Sequence, residues 1–190
     1  PNMGTMLSYI FIEANLTNNI LNKLLQKNIT DSFNSISVDG DMSTNDTVMV
    51  FAIGSTKFGN IGKNTQAFKS ISISLKKVMI SLAQQIVCDG EGISKLIQVN
   101  VSNAKSNTQA KKIAFSIGES LLVKTAICGE DANWGRIIMA IGKTSEKIDQ
   151  NKLSLSFGEN LIIHKGVILS KFKEKKLNNY MKNKIIKINL

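Results

Sequence analysis

Three polar clusters interrupt an otherwise well-patterned apolar chain, and they hold most of the residues that could do chemistry. The first is Pro1-Asn2-Met3-Gly4-Thr5-Met6-Leu7. The second is Val38-Asp39-Gly40-Asp41-Met42-Ser43-Thr44-Asn45-Asp46-Thr47. The third is Lys124-Thr125-Ala126-Ile127-Cys128-Gly129-Glu130-Asp131-Ala132-Asn133-Trp134-Gly135-Arg136. Asp39, Asp41 and Asp46 offer hard oxygen donors to a divalent cation. The same spacing, mixed with Gly40, Ser43 and Asn45, suits a turn closed by Asx hydrogen bonds, which is the preferred reading. Glu130 and Asp131 could complement the start of a helix at Asn133 or receive a cationic group; the residues leave both open. Arg136 is the only arginine in a lysine-rich chain, which suggests a need for guanidinium geometry. Lys124 could attract a carboxylate and is read instead as solvated or structural. Cys128 is read as a small buried residue, and Trp134 and the seven methionines as core.

Several chemistries drop out. A single histidine, His164, leaves no Ser-His-Asp triad and no His-based metal site. Cys88 and Cys128 form neither a disulfide framework nor a zinc spacing, so no metal is expected, and a reducing, cytoplasmic setting is the default. The first thirty residues lack a secretory signal pattern, and no apolar run reaches the roughly 18 residues of a membrane span, so no membrane partner is expected. Pro1 stands where a translated chain would carry Met, so the chain is read as processed or cut from something longer.

The formal net charge is +10, which raises the question of nucleic acid. Eight lysines between Lys165 and Lys187, against the single acid Glu174, carry +7 of it. With one arginine in the chain, and with lysine, asparagine and isoleucine all abundant, the charge is read as compositional drift rather than a nucleic-acid surface.

The positioning elements follow from periodicity. Residues 7–14 are apolar on both faces and predict a buried strand. Leu16, Ile20, Leu21, Leu24 and Leu25 predict a helix capped by Thr17 or Asn18. A short strand is expected at 35–38, an apolar segment of undecided type at 47–53 and a glycine-containing loop at 54–62. Asn64 opens a long helix through Phe68, Ile71, Leu75, Val78, Met79, Leu82 and Ile86, stopped by Asp89-Gly90-Glu91-Gly92. A strand at 95–101, a helix behind Ser106, a strand at 121–127 and a helix at 133–142 come next. Residues 153–157 and 161–164 predict a hairpin, followed by a helix at 170–181 and a strand at 184–190. No repeat or linker is visible, so the fold expected is α/β (α+β), with layers of sheet and helix.

The run Gly129-Glu130-Asp131-Ala132-Asn133-Trp134-Gly135-Arg136, with Val123-Lys124-Thr125-Ala126 before it, resembles the bifunctional ornithine acetyltransferase family, the glutamate N-acetyltransferases of arginine biosynthesis. So do Pro1-Asn2-Met3-Gly4-Thr5-Met6-Leu7, the run from Ser37 to Thr47, and Asp89-Gly90-Glu91-Gly92-Ile93-Ser94-Lys95. Four segments in the family's order cover Pro1 to about Ile141; the tail from Ser145 matches in outline. The resemblance implies a stacked α and β fold and a precursor that cuts itself before a threonine. That threonine heads the second subunit and acts as nucleophile, moving acetyl from N-acetylornithine to glutamate through an acetyl-threonine intermediate. Thr5 matches the nucleophile and Gly4–Thr5 the cleavage point, with Gly4 where members commonly have Ala. Glu130 is matched to the substrate-binding glutamate. Residues 1–4 then end the first-subunit segment and 5–190 belong to the second subunit, truncated at its C-terminus. No cofactor is implied, although acetyl-CoA is a possible substrate. The partner implied is the first-subunit (alpha) segment, in a hetero-oligomer of alpha and beta chains.

The chemistry of Thr5 agrees with that assignment. A hydroxyl needs a base, and an N-terminal amine, with an unperturbed pKa of about 7.7–8.0, is partly neutral near pH 7. Before cleavage the same nitrogen is an amide. The rival readings are a self-cleaving aminopeptidase or amidase of the same architecture, and a basic non-catalytic binding module.

Overall fold

The structure is a computed structural model that describes residues 6–41, 43–54, 59–63, 65–169 and 174–190. The chain divides into two compact units, Pro1–Val87 and Cys88–Leu190, a division that no sequence linker announces. The mixed α/β architecture expected from the sequence is borne out.

In the first unit, β1 (Leu7–Ile12) and β2 (Thr47–Ala52) form a two-stranded parallel sheet with Leu7 opposite Thr47 and Phe11 opposite Phe51. Helices α1 (Asn18–Ile29) and α2 (Gln66–Cys88) supply Leu24, Phe68, Leu75, Met79 and Ala83 to a core shared with Ile10 of β1. Asn28 lies between these helices, buried, its Nδ2 donating to Leu24 O at 2.8 Å and to Ser72 Oγ at 3.5 Å. The pairing satisfies a polar group that would otherwise be costly to bury. Thr65 Oγ1 accepts from Phe68 N at 3.1 Å and so caps the start of α2; Asn64, expected to open this helix, lies outside the described residues. Among the described residues α2 is the one helix long and apolar enough to cross a membrane by length and composition. Its residues Phe68, Leu75, Met79 and Ala83 face the unit's own core.

Two expectations fail here. Residues 35–38 form no strand: Phe33–Ser35 is a 3-10 turn, pinned where Ser35 Oγ donates to Thr30 O at 2.6 Å. The strand β1 is buried on one face only. Ser8 and Ile10 point into the core, while Leu7, Tyr9 and Phe11 are 53%, 50% and 63% exposed.

The second unit is built on a five-stranded sheet in the order β3-β7-β4-β5-β6, from β3 (Leu96–Asn100), β4 (Leu155–Phe157), β5 (Asn160–His164), β6 (Val167–Ile168) and β7 (Ile185–Asn189). The last strand inserts between β3, to which it is parallel, and the hairpin strand β4, to which it is antiparallel. The predicted hairpin β4–β5 is present, with Gly158 at φ 57° in its turn. A Cβ there would stand 2.7 Å from the Tyr180 ring, so the conformation favours glycine and the space selects it. The short strand β6 was not anticipated.

Helices α3 (Asn107–Gly118), α4 (Leu121–Cys128), α5 (Trp134–Gly142) and α6 (Glu174–Met181) complete this unit. The core joins Ile117, Val123, Ile137, Leu155, Phe157, Met181 and Ile188 across these elements. Ser106 caps α3 as expected, its side chain accepting from Gln109 N. The segment 121–127, expected to be a strand, is helical. Ser120 caps it by accepting from Val123 N, and Val123, Ala126 and Ile127 bury at helical spacing. Lys112 Nζ lies 2.8 Å from Glu146 Oε1, and this hydrogen bond, opposed by desolvation, holds the Glu146 carboxyl below its ordinary pKa.

Candidate functional site

The first two clusters meet in the first unit. Met6 N donates to Asp46 Oδ1 at 3.0 Å, and Thr47 N donates to Met6 O at 2.9 Å, just where the β1–β2 ladder begins. Residues 39–41 and 43–46 each form a side-chain-closed turn of the expected kind. Asp41 N donates to Asp39 Oδ1 at 2.9 Å, and the amides of Asn45 and Asp46 both donate to Ser43 Oγ at 3.2 Å. Gly40, at φ 96°, takes the left-handed position of the first turn. Among the described residues no group of three or more His, Cys, Asp or Glu stands close enough to hold a metal. Gly4 and Thr5 lie outside the described residues. Met6, the first described residue after them and the one before β1, is gripped by Asp46.

The other two matched segments meet in the second unit. Ser94 Oγ lies 3.6 Å from Cys128 Sγ, and Lys95 Nζ donates to Glu130 Oε1 at 3.2 Å. The Lys95 side chain is only 9% exposed, while that of Glu130 is 46% exposed. The same ammonium donates to Met181 O at 2.8 Å and Asn183 O at 3.3 Å, at the end of α6. One buried cation thus joins the 89–95 loop, the 129–131 turn and the approach to β7. In the sequence Lys95 is only the end of a matched run, and a lysine ahead of a strand gives no hint of this role.

The 129–136 run has a clear local logic. Gly129 ends α4, Glu130 takes φ 60°, and the bonds Glu130 N to Ile127 O (3.1 Å) and Asp131 N to Ala126 O (2.9 Å) close a Schellman motif. Glycine is usual at the position Glu130 holds, and an L-residue there costs about 1–2 kcal/mol. Asn133 then caps α5, its Oδ1 accepting from Arg136 N at 3.3 Å, and Asn133 Nδ2 donates to Asp131 Oδ2 at 3.1 Å. Glu130 therefore terminates one helix rather than starting the next. Arg136 Nη1 donates to Leu122 O at 2.8 Å and Thr125 Oγ1 at 3.1 Å, tying α5 back to α4. The two-acceptor grip accounts for arginine at this position.

Other expected roles shift. Cys128 is exposed rather than buried, as is Cys88. Trp134 is partly buried against the core, and Met79 and Met181 are fully buried, but Met139 is 41% exposed. Lys124, half-buried on α4, is already engaged by a neighbour. In the sequence Glu91 is only one residue of its matched run. It is exposed on the loop that Lys95 anchors, with no hydrogen bond or ion pair among the described residues.

A sequence model described as the ArgJ family matches residues 1–190. The arginine biosynthesis bifunctional protein ArgJ of Bartonella henselae is 44% identical over 189 residues, which cover 99% of this chain and 46% of that protein. The protein of the same name from Brucella suis is 43% identical over 192 residues, again 99% of this chain and 46% of its own. The chain spans about half the length of the curated relatives it matches. The crystal structure of arginine biosynthesis bifunctional protein argJ from Bacillus halodurans matches with a TM-score of 0.92 at 36% identity, over 97% of this chain and 87% of that one.

Proposed function

The chain belongs to the ArgJ family, and we propose that it supplies the second-subunit part of a glutamate N-acetyltransferase of arginine biosynthesis, which moves acetyl from N-acetylornithine to glutamate. The observation that carries this reading is the joining of two matched segments, with Asp46 and Thr47 of one bonded to Met6 of the other. The precursor is cut between Gly4 and Thr5. The Thr5 hydroxyl attacks the Gly4 carbonyl, the acyl group shifts from nitrogen to oxygen, and water hydrolyses the ester. The products are a Gly4 carboxylate and a free Thr5 amine. Gly4 suits the step because a residue without Cβ tolerates the backbone distortion that attack requires.

In turnover the freed amine takes the Thr5 hydroxyl proton as the oxygen attacks the acetyl carbonyl. The tetrahedral intermediate expels the α-nitrogen of ornithine, which leaves with that proton. Glutamate's α-amine then attacks the acetyl-threonine ester, passes a proton to Thr5 and leaves as N-acetylglutamate. No cofactor enters either half. Acetyl-CoA could load the same hydroxyl, since a thioester is the more reactive donor. The setting is the cytoplasm, where arginine precursors and a reducing environment fit two free cysteines.

The partner is the alpha segment of the same precursor. Chain lengths support this reading: the solved relative's chain is close to this one in length, whereas the curated relatives are about twice as long. The apolar face of β1 and β2 supports it too. Leu7, Tyr9, Phe11, Phe51 and Ile53 lie exposed, with Phe51 stacked on Phe11 at 5.1 Å and on Tyr9 at 6.5 Å. Parallel sheets are normally covered on both faces, and the half of the protein beyond this chain would supply the missing layer.

The ammonium of the amino-acid substrates is assigned to Glu130 by its match to the family. A second reading gives it to Glu91, because the Glu130 carboxylate is already paired with Lys95 while that of Glu91 is free among the described residues. The decisive experiment uses the full-length protein. Intact-mass spectrometry should find a chain beginning at Thr5, and labelled acetyl should pass from N-acetylornithine to glutamate. Thr5→Ala should abolish both, while Thr5→Ser, which keeps a hydroxyl, should cut and retain some turnover. Acetyl transfer at wild-type rate by Thr5→Ala would remove the reading.

A further inference from the structure

We propose that Asp46 is a positioning residue for Thr5, acting through the amide that directly follows the nucleophile. This rests on the reading of Thr5 given above. Met6 is held on both polar groups of its backbone: its N–H donates to Asp46 Oδ1 at 3.0 Å, and its carbonyl accepts from Thr47 N at 2.9 Å. The first of these bonds comes from a side chain, not from the sheet ladder, which begins with Leu7 opposite Thr47. Asp46 is itself braced. Its amide and that of Asn45 donate to Ser43 Oγ at 3.2 Å, and Thr47 Oγ1 donates to Asn45 O at 3.0 Å. The carboxylate is therefore presented by a closed turn rather than by a free loop.

The peptide unit that carries Met6 N–H also carries the Thr5 carbonyl, and that unit is planar. The anchored amide adjoins in the chain the residue whose hydroxyl, on the reading above, must meet two carbonyls in turn, that of Gly4 and that of the acetyl group. Placement of this kind governs rate rather than affinity, because a nucleophile displaced by about 1 Å can lose on the order of 100-fold. A carboxylate oxygen also makes a stronger bond to a backbone amide than a neutral acceptor does. On this inference the matched run at 38–47 has a function: its final aspartate anchors Met6, the residue between the nucleophile and β1.

The test uses the full-length precursor, with cleavage followed by intact mass, steady-state kinetics for both substrates and thermal unfolding. Asp46→Ala should stay folded, cut more slowly and lose about 10–100-fold in kcat, with KM for either substrate within about threefold. Asp46→Asn, whose Oδ1 can accept the same N–H, should recover to within about fivefold of wild type. Asp46→Glu keeps the charge but moves the oxygens by one methylene. It should resemble Asp46→Ala, and it serves as the test variant if the alanine protein does not fold. A folded Asp46→Ala or Asp46→Glu protein with wild-type cleavage and kcat overturns the inference. So does an Asp46→Asn protein as damaged as Asp46→Ala, which would assign the effect to charge. A wild-type precursor that never cuts before Thr5 instead removes the underlying reading, so the two failures are distinguishable.

Discussion

The Glu130 carboxylate already has a cation, and that cation belongs to the protein. Lys95 is nearly buried and keeps two carbonyl acceptors, Met181 O and Asn183 O, whatever Glu130 does. A substrate ammonium arriving at Glu130 would share its carboxylate with a charge that cannot leave. Glu91, exposed on the loop that Lys95 anchors, has no such competitor among the described residues. This weighs toward Glu91 as the ammonium partner and toward Glu130 as the residue that holds turn and loop together. Kinetics on the full enzyme separate the two. Losing a charge-assisted contact to substrate should lower kcat/KM by roughly 10–1000-fold, with self-cleavage intact, because no amino acid takes part in the cut. If that loss appears in Glu91→Gln, while Glu130→Gln chiefly lowers the melting temperature, Glu91 holds the ammonium. The reverse pattern returns it to Glu130. The sequence could not have separated them, since both carboxylates sit in matched runs and Lys95 reaches only one of them once the chain is folded.

At the scale of elements, long-period signals were legible and short ones were not. The helix stripe from Phe68 to Ile86 and the hairpin at β4–β5 lie where periodicity puts them. The segment 121–127 was misread because Leu121, Leu122, Val123 and Ile127 look strand-like by type, whereas burial falls on Val123, Ala126 and Ile127 at helical spacing, behind the cap at Ser120. Leu121 and Leu122 stay exposed on its outer side. The strand β6, two residues long, offers no period at all. The ion pair that ties α3 to the segment after α5, Lys112 with Glu146, joins residues 34 apart in sequence and could not be read from it. It makes a prediction with a definite sign. The Glu146 pKa is lowered in the folded state, chiefly by the Lys112 hydrogen bond. Its contribution to stability is then present above the unfolded carboxylate value of about 4.3 and is lost as pH falls through the lower folded value. Denaturant titrations of wild type and Glu146→Gln should differ at pH 7 and converge in acid. A gap that widens as pH falls would contradict the assignment.

For the molecule as a whole, the informative surface is the one the sequence misrepresents. Leu7, Tyr9 and Phe11 alternate with Ser8, Ile10 and Ile12, and apolar residues on both faces predict a strand covered on both sides. Among the described residues only the face toward α1 and α2 is covered. The expectation fails for this chain, which spans about half the length of its curated relatives. The exposed side chains Leu7, Tyr9, Phe11, Phe51 and Ile53 form one apolar stripe across both strands, and a stripe of that kind marks an interaction site. If the alpha segment covers it, a charge placed there should prevent assembly without unfolding this chain. Phe11→Lys with Phe51→Lys, made in a full-length protein whose two parts are expressed as separate chains, should leave the 1–190 chain monomeric and with an unchanged melting temperature. It should abolish co-purification of the two parts and, with it, both the cut before Thr5 and acetyl transfer. The wild-type 1–190 chain alone should likewise remain uncut, because the groups that polarise the Gly4 carbonyl lie, on this reading, in the missing part. Loss of a Pro1-to-Gly4 tetrapeptide from the isolated chain, seen by intact mass, would place the whole cleavage apparatus within these residues. Undiminished co-purification of the double variant would move the alpha segment to another surface.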